Sequence, residues 1–502
     1  MTPLLPHEGR LCEASPDGTP GRPVALRGFN LSGAAKDPAN RGLPFALADG
    51  ESIVLRASPL LRALRDDGFN LLRIPLVWEF LAPDADVALR EGSLEALRAL
   101  VAHAGELGFR VILDIHQDVG GSFFHAPKKR SWHGDGFPRW LLERAYSPDG
   151  REKLPEGAWN DAFPFAWLPL ARSWGLNYVL NGTLKRVQGG MGDPAVTDAF
   201  ERFAARLAVG FRDLDNVLTY EPFNEPDSST MGPDARDPSA RGAYAALCAA
   251  VCRGLGDAVR YDRTPTCSPM PSGDWIDGTV LGFVPQLDAG LAGILRRSLL
   301  PVATGVPGRS FWLVTPHFYD IGEDAPVLRP HPERYDEVVA SAAKAFEQWN
   351  VVPVVGEFGA SSQRSGFRER HAAWVDAFER RGWSWCFWNL NPDAGEGGDD
   401  HWCGERFSAV ERSAGLTETY RALLRPFPQR HGGPIRATVW HRDGARWRYE
   451  ATFGKATVPG WRTEIVVPAS LGEFHVKEGW PREGRVVTVG SDTADASVTI
   501  EP

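Results

Sequence analysis

Two glutamates, each closing a separate apolar run, are the residues of this chain best placed to do chemistry. "VLTYEPFNEPDSS", Val217 to Ser229, sets Glu225 directly after Asn224 and before Pro226. "VVPVVGEFG", Val351 to Gly359, ends on Glu357 among small residues. One carboxyl cannot run a double displacement at an acetal carbon, but a pair can. One carboxylic acid protonates the leaving oxygen while the other, ionised, attacks the anomeric carbon, and the two groups then stand about 5 Å apart. Pro226 stiffens the turn behind Glu225. Glu221, deeper in the same run, reads as structural.

Other polar residues end neighbouring apolar runs and fit the same reaction. Arg73 supplies the opposite charge that keeps a nucleophilic carboxylate ionised, and Tyr319 is placed to reach Glu357. A neighbouring carboxylate raises the pKa of Glu225, so that it starts as an acid. Asn224, His116 and His317 are candidates to hold sugar hydroxyls, and Trp388 to form the floor under a pyranose ring. Each alone has a plainer reading: a solvated glutamate, a hydrogen-bonded histidine, a buried ion pair, a core tryptophan. Their common place at the ends of successive runs favours the functional one.

Those runs predict the elements that position the site. Short apolar segments alternate with amphipathic helical patterns that stop at glycine or polar residues. The strands are "PVALRGFN" (Pro23 to Asn30), "NLLRIPLVW", "RVILDIHQD", "VLTYEPFNEP", "PTCSPM", "FWLVTPHFYD", "VVPVVGEFG" and "SWCFWNLNPD". Eight strands with intervening helices predict an α/β fold, a (β/α)8 TIM barrel over residues 1–424, whose chemistry sits at the C-terminal strand ends. Two stretches exceed loop length, at about 119–198 and 274–309, and read as cleft walls or lids. "RPFPQRHGGP" marks a boundary. Beyond it, residues 425–502 alternate in short β-branched runs and predict a small antiparallel β-sandwich.

The 502-residue chain carries 55 Lys and Arg against 64 Asp and Glu, a net charge of −9 without a basic stripe, which argues against a nucleic-acid partner. Its six cysteines form no C-x-x-C pair and read as small buried apolar groups. Eighteen tryptophans suit both a large core and a sugar cleft. The opening "MTPLLPHEGRLCEAS" shows no basic segment followed by an apolar one, and no run suits a transmembrane segment. The expectation is a cytoplasmic protein.

"RGFN", "GFNLLRIPLVWE", "DIHQD", "FNEP", "HFYD", "GEFG" and "WNLNPD" together resemble glycoside hydrolase family 5. "LDIHQDV", "EPFNEP", "DDHWCGERFSAV" and the "RPFPQ" junction resemble its branch of endoglycoceramidases and steryl β-glucosidases. The resemblance implies that Glu225 is the acid/base and Glu357 the nucleophile. Arg73, His116, Asn224, His317, Tyr319 and Trp388 match the remaining family positions. Asp118 matches a contact to the non-reducing sugar, and Asp399, Asp400 and Glu405 match a loop lining the sugar sites. "DVGGSFFHAPKKRSWHGDG" departs from the branch, as does "WCGE" where it has "WNGE", and both bear on glycan length.

The branch cleaves glycosides with lipid aglycones, so the resemblance implies a hydrophobic aglycone and no cofactor or metal. The apolar residues between 274 and 309 would line an aglycone groove or make transient contact with a membrane surface, or else simply pack on the barrel. An endo-β-glucanase with an open cleft, and a non-catalytic carbohydrate-binding barrel, are the competing readings.

Overall fold

The computed structural model describes residues 1–118, 120–126, 129–155, 186–187, 190–221, 224, 250, 253–254, 313–319, 332–349, 352–396, 406–412 and 415–502. Its central sheet is parallel. Barrel strands one (Arg27–Asn30), two (Leu71–Val77), three (Arg110–His116) and four (Val217–Glu221) lie side by side in sequence order. On the other side of strand one come strand eight (Ser384–Phe387), strand seven (Val352–Val355) and strand six (Leu313–Val314). Strands six and seven continue as His317–Phe318 and Glu357–Phe358, again parallel. The order six-seven-eight-one-two-three-four is that of a barrel opened at strand five. "PTCSPM", expected to be that strand, lies outside the described residues.

Every residue of strand two is buried, as parallel strands covered on both faces require. Strands one and two approach so closely at Gly28 that a Cβ there would lie 1.6 Å from the Leu71 carbonyl oxygen. Helices Ile53–Asp66, Glu91–Glu106, Pro194–Phe211, Tyr335–Trp349 and Phe367–Glu379 cover the sheet. The Pro194–Phe211 helix starts where its sequence dictates: the Asp193 side chain accepts from the Ala195 amide, and Pro194 fills a first-turn position that needs no donor. Phe29, Leu72, Leu113, Phe358 and Trp385 join the helix faces in one apolar core.

The structure corrects the chain's beginning. Pro23–Asn30 is not one strand. Pro20–Val24 belongs to an antiparallel sheet, and the barrel starts at Arg27. Strands Leu4–His7, Arg10–Ala14 and Pro20–Val24 pair in succession, Pro20–Val24 pairs with Phe427–Arg430, and Thr463–Val466 and Val486–Val489 follow in that sheet. The first residues therefore extend the C-terminal sheet rather than the barrel, in contrast to the 1–424 division. A second antiparallel sheet holds Ile435–Asp443, Arg446–Phe453, Ala496–Glu501 and His475–Val476. No alternation within residues 4–24 signals partners four hundred residues away.

Barrel and C-terminal sheets are joined by buried polar ties. Asp67, at the end of the Ile53–Asp66 helix, accepts from the Tyr420 hydroxyl, the Ser470 amide and the Ser470 hydroxyl, each at 2.7 Å. Arg27 lies 3.6 Å above the Phe427 ring and pairs with Glu379. Cys12 and Cys386 are buried free thiols; the remaining cysteines lie outside the described residues. Replacing Asp67 by Ala removes the acceptor of three donors, of which the Tyr420 hydroxyl is buried. It is expected to destabilise the protein by about 2 to 3 kcal/mol, measured as a lowered urea midpoint, whereas an unchanged midpoint would show the tie to be redundant.

Candidate active site

Parallel register brings polar strand ends onto one rim. Asn30 pairs with Arg73, Asp114 with Glu221, and His317 with Glu357. Arg73 is wholly buried at the centre. Its Nε and Nη2 donate to the two oxygens of Glu221 at 2.8 and 2.9 Å. Its Nη1 donates to Glu357 Oε1 at 2.7 Å and to Asn30 Oδ1 at 2.8 Å. Nη2 also meets Asn224 Oδ1 at 2.9 Å and Asp114 Oδ2 at 3.0 Å. A planar fork of donors suits this convergence, and a lysine would not supply it.

Glu357 is aimed by these contacts. Arg73 takes Oε1, and the Tyr319 hydroxyl donates to Oε2 at 2.9 Å, with His317 Nδ1 at 3.5 Å from Oε2. Burial pushes the Glu357 carboxyl up to about 7, against the opposing pull of Arg73 and His116. Burial, then Arg73 and His116, hold His317 well below the usual histidine range, so its ring is neutral. Asn30 donates to the Gly356 carbonyl at 2.7 Å, which ties strand one to the residue before Glu357.

The third strand builds the neighbouring cluster. Asp114, His116 and Asp118 alternate on one face. His116 Nδ1 lies 2.6 Å from Asp114 Oδ2, and its Nε2 lies 3.2 Å from Asp118 Oδ2. Burial and Lys36 push His116 down, yet the two aspartates carry it up to about 10. The His116 ring stacks on Trp388 at 5.5 Å and 8°, with Lys36 Nζ 4.4 Å from the centre of the Trp388 ring. Lys36 pairs with Asp118 and lies 3.9 Å from Asp135.

Of the residues expected from sequence, Arg73, His116, Asp118, Asn224, His317, Tyr319, Glu357 and Trp388 converge here. Two take duties other than those expected. Both His116 nitrogens face carboxylates and its ring stacks on Trp388, so His116 is engaged within the protein. Asn224 Nδ2 donates to the Gln117 carbonyl, and Gln117 Nε2 donates to that of Asn224, so the amide ties Asn224 to the end of strand three. Glu225, Asp399, Asp400, Glu405 and the 274–309 segment lie outside the described residues. Sequence reasoning missed Asp114, Lys36 and Asp135. Alternation with His116 and Asp118 signals Asp114, whereas Lys36 and Asp135 sit in a short turn and a loop without periodicity.

The family model for cellulase, glycosyl hydrolase family 5, matches residues 19–394. The chain belongs to glycosyl hydrolase family 5. Among relatives of this family-5 chain, an endoglycoceramidase of Cyanea nozakii is 26% identical over 184 residues, 36% of this chain and 34% of the relative. A glucosylceramidase of Aspergillus fumigatus is 26% identical over 248 residues, 42% and 31% of the two chains. The match thus spans about a third of the length of these curated relatives. Among solved structures, endo-glycoceramidase II from Rhodococcus sp. as its lactosyl-enzyme intermediate aligns over 100% of both chains, with a TM-score of 0.66 and 20% identity. Cryptococcus neoformans sterylglucosidase 1 aligns over 99% of this chain and 97% of its own, with a TM-score of 0.62 and 16% identity. The family and these likenesses establish the TIM-barrel fold.

Replacing Arg73 by Met leaves Asp114, Glu221 and Glu357 buried without their cation. A loss of about 3 to 5 kcal/mol of stability is expected from urea unfolding. A variant as stable as the parent would contradict the central role of the guanidinium.

Proposed function

We propose that this family-5 chain is a retaining β-glycosidase that releases glucose or a short glycan from a hydrophobic aglycone. The observation that carries the reading is Glu357: a buried carboxylate at a strand end, gripped on one oxygen by Arg73 and on the other by Tyr319. Those contacts fix its orientation for attack and favour the ionised form that attacks. In the proposed first step Glu225 protonates the glycosidic oxygen while Glu357 attacks the anomeric carbon. The aglycone leaves as its alcohol, and the sugar becomes an ester of Glu357. In the second step Glu225, now a carboxylate, takes a proton from water, which displaces Glu357 and restores both groups with net retention. That the Rhodococcus enzyme has been captured as a lactosyl-enzyme intermediate supports a covalent route on this fold.

The lipid-like aglycone is inferred from the relatives, an endoglycoceramidase, glucosylceramidases and a sterylglucosidase. We assign aglycone contact, and transient contact with a membrane surface, to the apolar 274–309 segment. No helix among the described residues is long and apolar enough to cross a membrane. The two antiparallel sheets are read as faces of one sandwich bracing the barrel. Trp447, Tyr449 and Phe453 from one sheet, and Ile465, Val487 and Val489 from the other, support this by sharing a core.

Proton NMR of the first-formed sugar is expected to show the β-anomer, and an initial α-anomer would contradict double displacement. Glu357→Ala is expected to be inactive and, with azide, to yield an α-glycosyl azide. Glu357 must lose its proton to attack, so kcat/KM should rise with pH through about 7. Tyr319→Phe removes a donor to the carboxylate. It should lower kcat about 10- to 100-fold and move that acid limb to higher pH. An unmoved limb would remove Tyr319 from the control of Glu357.

A further inference from the structure

Beside the site stands a buried cluster of Lys36, His116, Asp118 and Asp135, in which His116 and Lys36 both engage Asp118. Asp118 and Asp135 are locked together by reciprocal backbone hydrogen bonds, Asp118 N to Asp135 O at 2.9 Å and Asp135 N to Asp118 O at 2.8 Å. Such a pair projects both side chains to one side. The ammonium of Lys36, carried on the short turn Gly33–Lys36, reaches both, resting on Asp118 and lying 3.9 Å from Asp135 Oδ2. Neither Asp135 oxygen has a hydrogen-bond partner, although the side chain is wholly buried. The Asp118 side chain keeps 6% exposure and Asp135 none, so a ligand meets Asp118 first and Asp135 stands behind it.

A sugar hydroxyl that donates to Asp118 Oδ2 competes there with Lys36. A buried ammonium displaced without a new partner would cost more than the hydroxyl bond returns. We propose that Asp135 is a positioning residue for glycoside binding, the alternate seat that takes the Lys36 ammonium when a sugar hydroxyl engages Asp118. The shift required is about the excess of 3.9 Å over an ion-pair contact, roughly 1 Å. Lys36 also bears on the Trp388 ring, so its position shapes the surface assigned to the pyranose. This inference rests on the glycosidase reading.

Proton movement makes the exchange measurable. Burial pushes Asp135 up to about 7, with Lys36 pulling it down and Asp118 raising it; His116, Asp114 and Glu79 complete the charged groups around it. Arrival of Lys36 favours the carboxylate, so Asp135 gives its proton to solvent as the sugar binds. Release is largest just below the free value, where the group is protonated alone and ionised beside Lys36; well above that value no proton remains to leave.

The test uses the full chain with Glu357→Gln, which stops turnover and removes that carboxyl as a proton source. Titration calorimetry with 4-nitrophenyl β-glucoside, in buffers of different ionisation enthalpy, counts protons released at pH 6.5 and at pH 9. Release at pH 6.5 that vanishes at pH 9, and that is abolished by adding Asp135→Asn, supports the alternate seat. So does an approximately tenfold rise in KM with kcat nearly unchanged for Asp135→Asn alone. Lys36→Gln, which removes the mobile charge, should abolish the same proton release, so the answer does not hang on one variant's folding. Equal proton counts and equal affinity with and without Asp135 overturn the inference while leaving the glycosidase reading intact. A wild-type protein that neither binds nor hydrolyses glycosides overturns both.

Discussion

The buried guanidinium of Arg73 is the interaction on which the site depends. It faces Glu221, Glu357 and Asp114, and it accounts for why three carboxylates coexist on adjacent strand ends. Without a cation there, three buried carboxylates would repel one another and bear the full cost of leaving water. With it, Glu221 becomes a rigid strut, Asp114 is free to orient His116, and Glu357 is left as the carboxylate with one oxygen toward Tyr319. Coulomb attraction alone would not aim Glu357. The fork geometry, one nitrogen edge for Glu221 and another for Glu357 and Asn30, converts charge into direction.

A second charged layer lies along the third strand. Asp114, His116 and Asp118 form a line from Arg73 toward Lys36, with Trp388 resting on the His116 ring. The line links Glu357, through Arg73, to Lys36 by ion pairs and hydrogen bonds. Histidines occupy the two layers in opposite states. His116, between aspartates, is raised, whereas His317, buried beside Arg73, is lowered. The residue type is the same, and the neighbours decide the charge.

Much of this was legible in the chain because a parallel barrel repeats one rule. Strand ends share a rim, so His116, Asp118, Asn224, His317, Tyr319 and Glu357 come together once their strands are recognised. Arg73 and Tyr319 flank Glu357 as expected from that rule alone. What escaped lacked a repeat. Lys36 lies in a turn of small residues, and Asp135 lies in a loop anchored by backbone pairing to Asp118, a contact that no local pattern encodes. The start of the chain differs from expectation because "PVALRGFN" carries apolar residues in both halves, while the halves answer to different sheets. Ala25 hydrogen-bonds to the Gln429 carbonyl, whereas Arg27–Asn30 turns to strands two and eight.

The placement of the nucleophile is most directly tested by trapping it. Incubation with an activated 2-deoxy-2-fluoro-β-glucoside, followed by intact-mass and peptide mass spectrometry, should show one sugar per chain, attached to Glu357. Attachment to Glu221, Asp118 or another carboxyl, or steady hydrolysis without any adduct, would contradict it.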